Sequence, residues 1–218
     1  MSTLDPARAK NLLPATTLKL AEALGREEFA AKLGAPVLLV RIADGDQREV
    51  AQALAQTLSS ATIPLVPTLG FRTVASGSAR GGPSVAGLRP WTAIEAGMKI
   101  QGVLGEKAHV VVPLRKRSSS AGAFTDRVSV GRAMNNDIVL RHESISKLHG
   151  WIEADEGGLF YVTDAGSHNG TFVDGSRLPP RVCTLAPFGA ELRFAAVTAT
   201  LCRAETLWDA LQSELDPS

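Results

Sequence analysis

Apolar positions fall at three- and four-residue steps between Leu18 and Leu33, through Leu20, Ala21, Leu24, Phe29 and Leu33. That period predicts an amphipathic helix, which Gly34 and Pro36 stop. The run from Pro36 to Ile42 is short, apolar and β-branched, and predicts a strand. Helical spacing returns from Arg48 to Leu58 through Val50, Ala51 and Leu54. Ile63 to Leu69 is apolar again, but Pro64 and Pro67 exclude a central strand. Residues 75–90 contain Gly77, Gly81, Gly82, Pro83 and Gly87, the composition of a flexible loop or linker, and Trp91 to Leu104 reads as a short helix. This alternation outlines an N-terminal α/β extension over residues 1–108, either packed on the rest of the chain or tethered through 75–90.

From His109 the period changes to short β-prone runs: 109–114, 127–130, 138–140, 150–154, 159–162, 171–173, 181–185 and 191–202. Turn residues separate them at Asn135-Asn136-Asp137, Gly157-Gly158, Asp164-Ala165-Gly166, Asp174-Gly175 and Pro187-Phe188-Gly189. Many short strands with regular turns predict a mainly β domain, a sandwich or barrel, over residues 109–203. Residues 204–218 close the chain as a short C-terminal helix, with Leu207, Trp208, Leu211 and Leu215 on one face.

Composition narrows the function classes. The 218 residues are 44% hydrophobic, enough to fill a core, and 23 basic against 22 acidic residues leave a formal net charge of +1. That balance gives no ground for nonspecific nucleic-acid or anionic-membrane binding, which needs a concentrated basic surface. Arg115-Lys116-Arg117 is short and reads as the solvated end of a strand. Cys183 and Cys202 are too few for a disulfide framework and lie in apolar stretches, which suggests buried free thiols. His109, His142, His149 and His168 lack a second ligand at metal-binding spacing, so no metal or cofactor is expected. Lys99 lacks the downstream Ser or Thr of a phosphate loop. No apolar run is long enough to cross a bilayer and the N-terminus lacks a signal core, so the default compartment is cytoplasmic.

Three polar signatures occur in succession beside turns: Gly131-Arg132, Ser146-Lys147-Leu148-His149 and Ser167-His168-Asn169-Gly170-Thr171. An arginine fork, a hydroxyl, an ammonium and an amide suit a cluster of anionic oxygens better than they suit bond-making chemistry. Ser146 and His149 have no acid partner at a spacing that would support a hydrolytic triad, so an enzyme is not indicated.

In their order and spacing these motifs resemble the forkhead-associated (FHA) family, over about residues 109–202. The resemblance implies an FHA-like β-sandwich of about eleven strands that binds phosphothreonine-containing protein segments, with a Ser/Thr kinase upstream. It further implies that Arg132 and Ser146 contact the phosphate, with Lys147 beside them where the family often has arginine or asparagine. Asn169 would bond the peptide backbone. His168 either lines the pocket, where protonation would add charge, or is a plain loop histidine. Gly131, His149, Gly170 and Thr171 would support the site, His149 by ordering the loops from beneath. A phosphate-independent scaffold in a larger assembly, using the extension or another face, remains the alternative. Trp151, large for its place after His149-Gly150, would be exposed or meet the extension through a surface that also includes Trp91 or Trp208. Ser118-Ser119-Ser120 could receive a phosphate of its own.

Overall fold

A computed structural model describes residues 15–34, 36–41, 109–116 and 127–215. The expectations for 48–58, 63–69, 75–90 and 91–104, and for the serine run 118–120, lie outside them. Among the described residues the chain forms eleven strands and three helices. The helices are α1 (Ala15–Ala23), α2 (Arg26–Leu33) and α3 (Ala204–Leu215). The strands are β1 (Val37–Arg41), β2 (His109–Pro113), β3 (Arg127–Gly131), β4 (Ile138–Val139), β5 (Gly150–Ala154) and β6 (Phe160–Asp164). They continue as β7 (Thr171–Val173), β8 (Ser176–Arg177), β9 (Thr184–Leu185), β10 (Glu191–Phe194) and β11 (Val197–Cys202).

The strands build a sandwich of two sheets. One has the order β2-β1-β11-β10-β7-β8, the other β4-β3-β5-β6-β9. Alternation sets the layers: Leu38, Val40, Val110, Val112, Leu192, Phe194, Ala199 and Leu201 face inward against Val128, Val130, Ile152 and Val162. The intervening residues Val37, Leu39, Val111 and Cys202 point to the opposite face of the six-stranded sheet, where Ala21, Phe29, Leu207, Ala210 and Leu211 of the helices bury them. Strand β1 therefore has apolar side chains on both faces, which is why its sequence is continuously apolar rather than alternating. It lies between β2 and β11, so a strand from before residue 108 is an interior member of the sandwich.

The helices attach mainly to α3. Trp208 Nε1 donates to the Leu24 carbonyl at 3.0 Å, Gln212 Nε2 donates to the Ala21 carbonyl at 2.7 Å, and Arg26 grips Asp209 at 2.8 and 3.0 Å. Trp151 lies elsewhere, half-buried on the five-stranded sheet, with the Arg127 guanidinium 5.2 Å from its ring centroid. Trp91 is outside the described residues.

Several local expectations change. The helical pattern over 18–33 is two helices, because Gly25 is extended (φ −67, ψ 165) and caps α2. The run 191–202 folds back on itself: Phe194 pairs with Val197, leaving a two-residue hairpin turn in which Ala195 has φ 51. Arg181 at φ 62 delays β9 to Thr184. Lys116 is not a solvated strand end: it pairs at 3.0 Å with Asp137, whose side chain is fully buried and also accepts from the amide and hydroxyl of Ser129. Both cysteines are free; Cys202 is buried, whereas Cys183 is only partly so. No described helix is long and apolar enough to cross a membrane, and no metal-binding cluster occurs among the described residues.

Candidate functional site

Four connections meet at one end of the sandwich: the β3–β4, β4–β5 and β6–β7 loops and the β10–β11 hairpin. Their contacts are hydrogen bonds with a backbone group on at least one side. Arg132 N–H donates to the Ser146 carbonyl (2.9 Å) and Ala133 N–H to the Lys147 carbonyl (3.1 Å), so the β3–β4 and β4–β5 loops run side by side. Asn136, buried, donates its side-chain amide to the carbonyls of Ala133 (2.8 Å) and Lys147 (2.7 Å) and fixes that pairing. A methyl group on Gly131 would run into the Lys147 carbonyl oxygen and lie 2.8 Å from Asn136 Nδ2. The close approach of the two loops thus requires glycine at 131.

His149 is fully buried beneath them. Its Nδ1 accepts from the Ser146 amide at 3.2 Å, and its Nε2 lies 3.2 Å from the Gly170 carbonyl. A carbonyl only accepts, so Nε2 carries the proton and the ring is the neutral tautomer. Burial pushes its pKa below the ordinary 6.5, against smaller upward pulls from the Gly170 bond and the Asp164 charge. Phe194 packs edge-on, 5.9 Å between centroids. The amide of Ser146, not its hydroxyl, meets the ring, so the two side chains form no nucleophile–base pair.

The β6–β7 loop winds around one carboxylate. Asp164 Oδ1 accepts from the amides of Gly166 and Ser167, both at 2.8 Å. Its Oδ2 accepts from the hydroxyls of Ser167 and Thr171, both at 2.6 Å. Burial alone would raise the pKa of this carboxyl, but the four bonds favour the charged form and hold it below the usual 3.8. Ser167 Oγ accepts in turn from the Gly170 amide at 2.9 Å. Gly170 has φ 81, and its carbonyl receives the Ala195 amide at 3.1 Å as well as the His149 ring. Ser144 extends the assembly: its carbonyl accepts from Asn169 Nδ2 at 2.8 Å, and its hydroxyl accepts from the Ala196 amide at 3.4 Å.

These bonds bring the expected ligand residues together and set what each has left to offer. Arg132 Nε donates to the Ile145 carbonyl at 3.0 Å, which fixes the guanidinium plane and leaves both terminal nitrogens without a partner among the described residues. Ser146 Oγ accepts from the His168 amide at 3.2 Å, so its own proton is available. Asn169 uses one amide hydrogen on Ser144 and keeps its oxygen. The side chains of Lys147 and His168 are exposed beside them. The result is a surface rich in donors, with no nucleophile–base pair among these residues. Sequence reasoning missed Asp164, Ser144 and Asn136 as parts of this site, and gave Ser167, which opens the third signature, no role of its own. Asp164 was legible only as a turn residue, although a carboxylate shortly before Ser and Gly is also the signal of an Asx turn.

Residues 128–195 match the model of the FHA domain family. Over 62 residues the chain is 40% identical to the Arabidopsis thaliana protein phosphatase 1 regulatory inhibitor subunit PPP1R8 homolog, covering 28% of this chain and 17% of that protein. Over 78 residues it is 35% identical to Homo sapiens kanadaptin, covering 31% of this chain and 10% of that protein. The chain therefore spans less than a fifth of either relative. Among solved structures, Mycobacterium tuberculosis EmbR in complex with a low-affinity phosphopeptide is similar at 28% identity with a TM-score of 0.33, covering 36% of this chain and 20% of that one. FHA domains in general are non-enzymatic modules that bind phosphothreonine in Ser/Thr kinase signalling.

Proposed function

We propose that this chain binds phosphothreonine-containing protein segments through Arg132, Ser146, Lys147 and Asn169, downstream of a Ser/Thr kinase. One observation carries the reading: the loops are tied to one another by hydrogen bonds through their backbone groups, yet leave the Arg132 fork, the Ser146 hydroxyl proton and the Asn169 oxygen unspent in one place. The fork makes two parallel charge-assisted bonds to phosphate oxygens, and Ser146 adds a compact third donor. Lys147 contributes charge without fork geometry. Asn169 Oδ1 accepts a backbone N–H of the bound segment, which orients it. His168 flanks the phosphate. Residues 109–203 form the binding domain, to which Val37–Arg41 adds a strand, while Ala15–Ala23 and Arg26–Leu33 join Ala204–Leu215 in the helical layer on its outer face. The free thiols Cys183 and Cys202 suit a reducing compartment, and we place the module in the cytoplasm.

The test is a titration of the full chain with one peptide in three forms: phosphothreonine, phosphoserine and unmodified threonine. The phosphothreonine form should bind near micromolar, about −8 kcal/mol. Arg132→Ala should weaken it about ten- to a hundredfold, the value of a charged hydrogen bond. Equal curves for phosphorylated and unmodified peptides would refute the reading. A pull-down from lysate with and without phosphatase, using wild type beside Arg132→Ala, then separates phosphate-dependent partners from those held by another face.

A further inference from the structure

Asn169 is exposed, and its side chain makes one hydrogen bond among the described residues, from Nδ2 to the Ser144 carbonyl at 2.8 Å. The aim of its free oxygen therefore depends on how Ser144 is held. A histidine holds it. The Ser144 amide donates to His142 Nδ1 at 3.2 Å, so this nitrogen is an acceptor and the ring proton is on Nε2. The Ser144 hydroxyl lies 2.7 Å from the same nitrogen and donates to it. Its oxygen accepts from the Ala196 amide at 3.4 Å, and the Ile145 amide donates to the His142 carbonyl at 3.0 Å. Backbone and side chain of Ser144 are thus tied to one imidazole lone pair, which sets the direction of the carbonyl that Asn169 uses. No carboxylate bonds His142 Nε2 among the described residues, so nothing orients the ring as a general base and the contact is a clamp.

We infer that His142 is a positioning residue of the proposed site: through Ser144 it aims the Asn169 amide, and it does so only while Nδ1 carries no proton. The consequence for binding rests on the proposed phosphate reading, whereas the coupling of His142 to Asn169 does not. A proton on Nδ1 turns the shared acceptor into a donor. The ring then donates to the Ser144 oxygen, but the Ser144 amide loses its acceptor and faces another N–H. Arg141 and Glu143 flank the ring in its own loop, and Arg132 lines the same cleft from the β3–β4 loop. The Ala195-Ala196 turn brings no charge to this side. His168 on the β6–β7 loop and His149 beneath are the other imidazoles at this end, so the test must separate them from His142.

Asparagine is the discriminating replacement, because its Oδ1 can stand in for Nδ1 as acceptor but takes up no proton. The isotope-labelled full chain is followed by NMR through the side-chain amide resonances of Asn169. It is also titrated with a peptide carrying one phosphothreonine in alanine flanks. Both measurements run from about pH 8 to about pH 5, where imidazoles change charge, on wild type, His142→Asn and His142→Ala. Dividing the wild-type affinity by that of His142→Asn at each pH cancels what His149, His168 and the phosphate itself contribute. Near pH 8, His142→Ala should bind about three- to tenfold more weakly than wild type, the value of one hydrogen bond, and His142→Asn should recover most of that loss. In an Asn169→Ala background His142→Ala should cost nothing further. On acidification the ratio should fall about three- to tenfold, and the Asn169 resonances should move over the same interval in wild type but not in His142→Asn. A ratio flat with pH, Asn169 resonances that move alike in both chains, or an undiminished loss from His142→Ala in the Asn169→Ala background would overturn the inference. If His142→Ala is too unstable to titrate, the comparison of wild type with His142→Asn decides alone. If phosphorylated and unmodified peptides bind alike while the Asn169 resonances still follow His142, the phosphate reading fails and the coupling stands.

Discussion

Replacing Asp164 by alanine and by asparagine separates what its charge contributes from what its shape contributes. The carboxylate accepts four hydrogen bonds of 2.6–2.8 Å and is 1% exposed. Bonds to a charged group contribute about 1.5–3 kcal/mol each, but four on one carboxylate do not add. Gly166 is exposed and Ser167 half-buried, so water replaces part of what alanine removes. The expected cost of Asp164→Ala is about 3 kcal/mol, a large share of the 5–15 kcal/mol typical of a domain. Asparagine should cost only about 1 kcal/mol. Its oxygen can keep the amides of Gly166 and Ser167, while its NH2 donates to the hydroxyls of Ser167 and Thr171, which turn to accept. Urea unfolding followed by tryptophan fluorescence measures both. The folded-state pKa of Asp164 lies below 3.8, so the unfolded chain takes up the proton first. The charge contribution is complete above 3.8 and is lost as pH falls through the lowered folded value, and the gap between wild type and Asp164→Asn should close over that interval. Equal costs for the two variants at neutral pH, or a gap that does not narrow in acid, would refute this account.

The same geometry gives three further expected outcomes. Gly131→Ala forces the Lys147 carbonyl away and should cost about 1–3 kcal/mol as overpacking does, with phosphopeptide affinity falling at least as steeply; a titration matching wild type would show that the loop approach is not needed. Burial lowers the His149 pKa below 6.5, so its contribution is complete above that value and declines as pH falls toward the folded-state value; His149→Gln, which cannot take the proton, should flatten the stability profile on the acid side of 6.5. Trp208→Phe removes the bond to the Leu24 carbonyl and should cost about 1 kcal/mol in urea unfolding, with no change in peptide affinity, because the helical layer covers the outer face of the six-stranded sheet.

The strands and the C-terminal helix were legible because their signals are local. Period-two runs bounded by Gly, Asn and Asp marked β5 and β7 residue for residue, and 204–215 carried its helical stripe. What the sequence hid depends on partners far along the chain. The apolar run at Val37–Arg41 reads as a strand but does not say that its neighbours begin at His109 and end at Cys202. The hairpin at Ala195-Ala196 has no turn residue, and only its pairing forces φ 51 on an alanine. Lys116 looked solvated because its buried partner, Asp137, was legible only as part of an Asn-Asn-Asp turn. The site divides the same way. Its outward-facing groups stand in recognisable motifs, whereas Asn136 and Ser144 act on groups of other loops, which no spacing rule encodes, and Asp164 and Ser167 close the β6–β7 loop on itself, which the sequence carries only as an Asx turn.

That division bears on how the site would bind. A loop that orders itself only around a ligand gives up binding free energy to fix its backbone, about 1–2 kcal/mol per residue. Here the carbonyls of Ile145, Ser146 and Lys147 already accept from the β3–β4 segment, and Gly170 is held by His149 and Ala195. Ordering is thus built into folding, and the groups left over are those whose partners must come from outside. Substitutions at the two sets should therefore differ in kind. Loss of Arg132 or Ser146 removes contacts and should leave stability near wild type. Loss of Asp164 or Asn136 should lower stability and affinity together, because the donors remain but no longer converge.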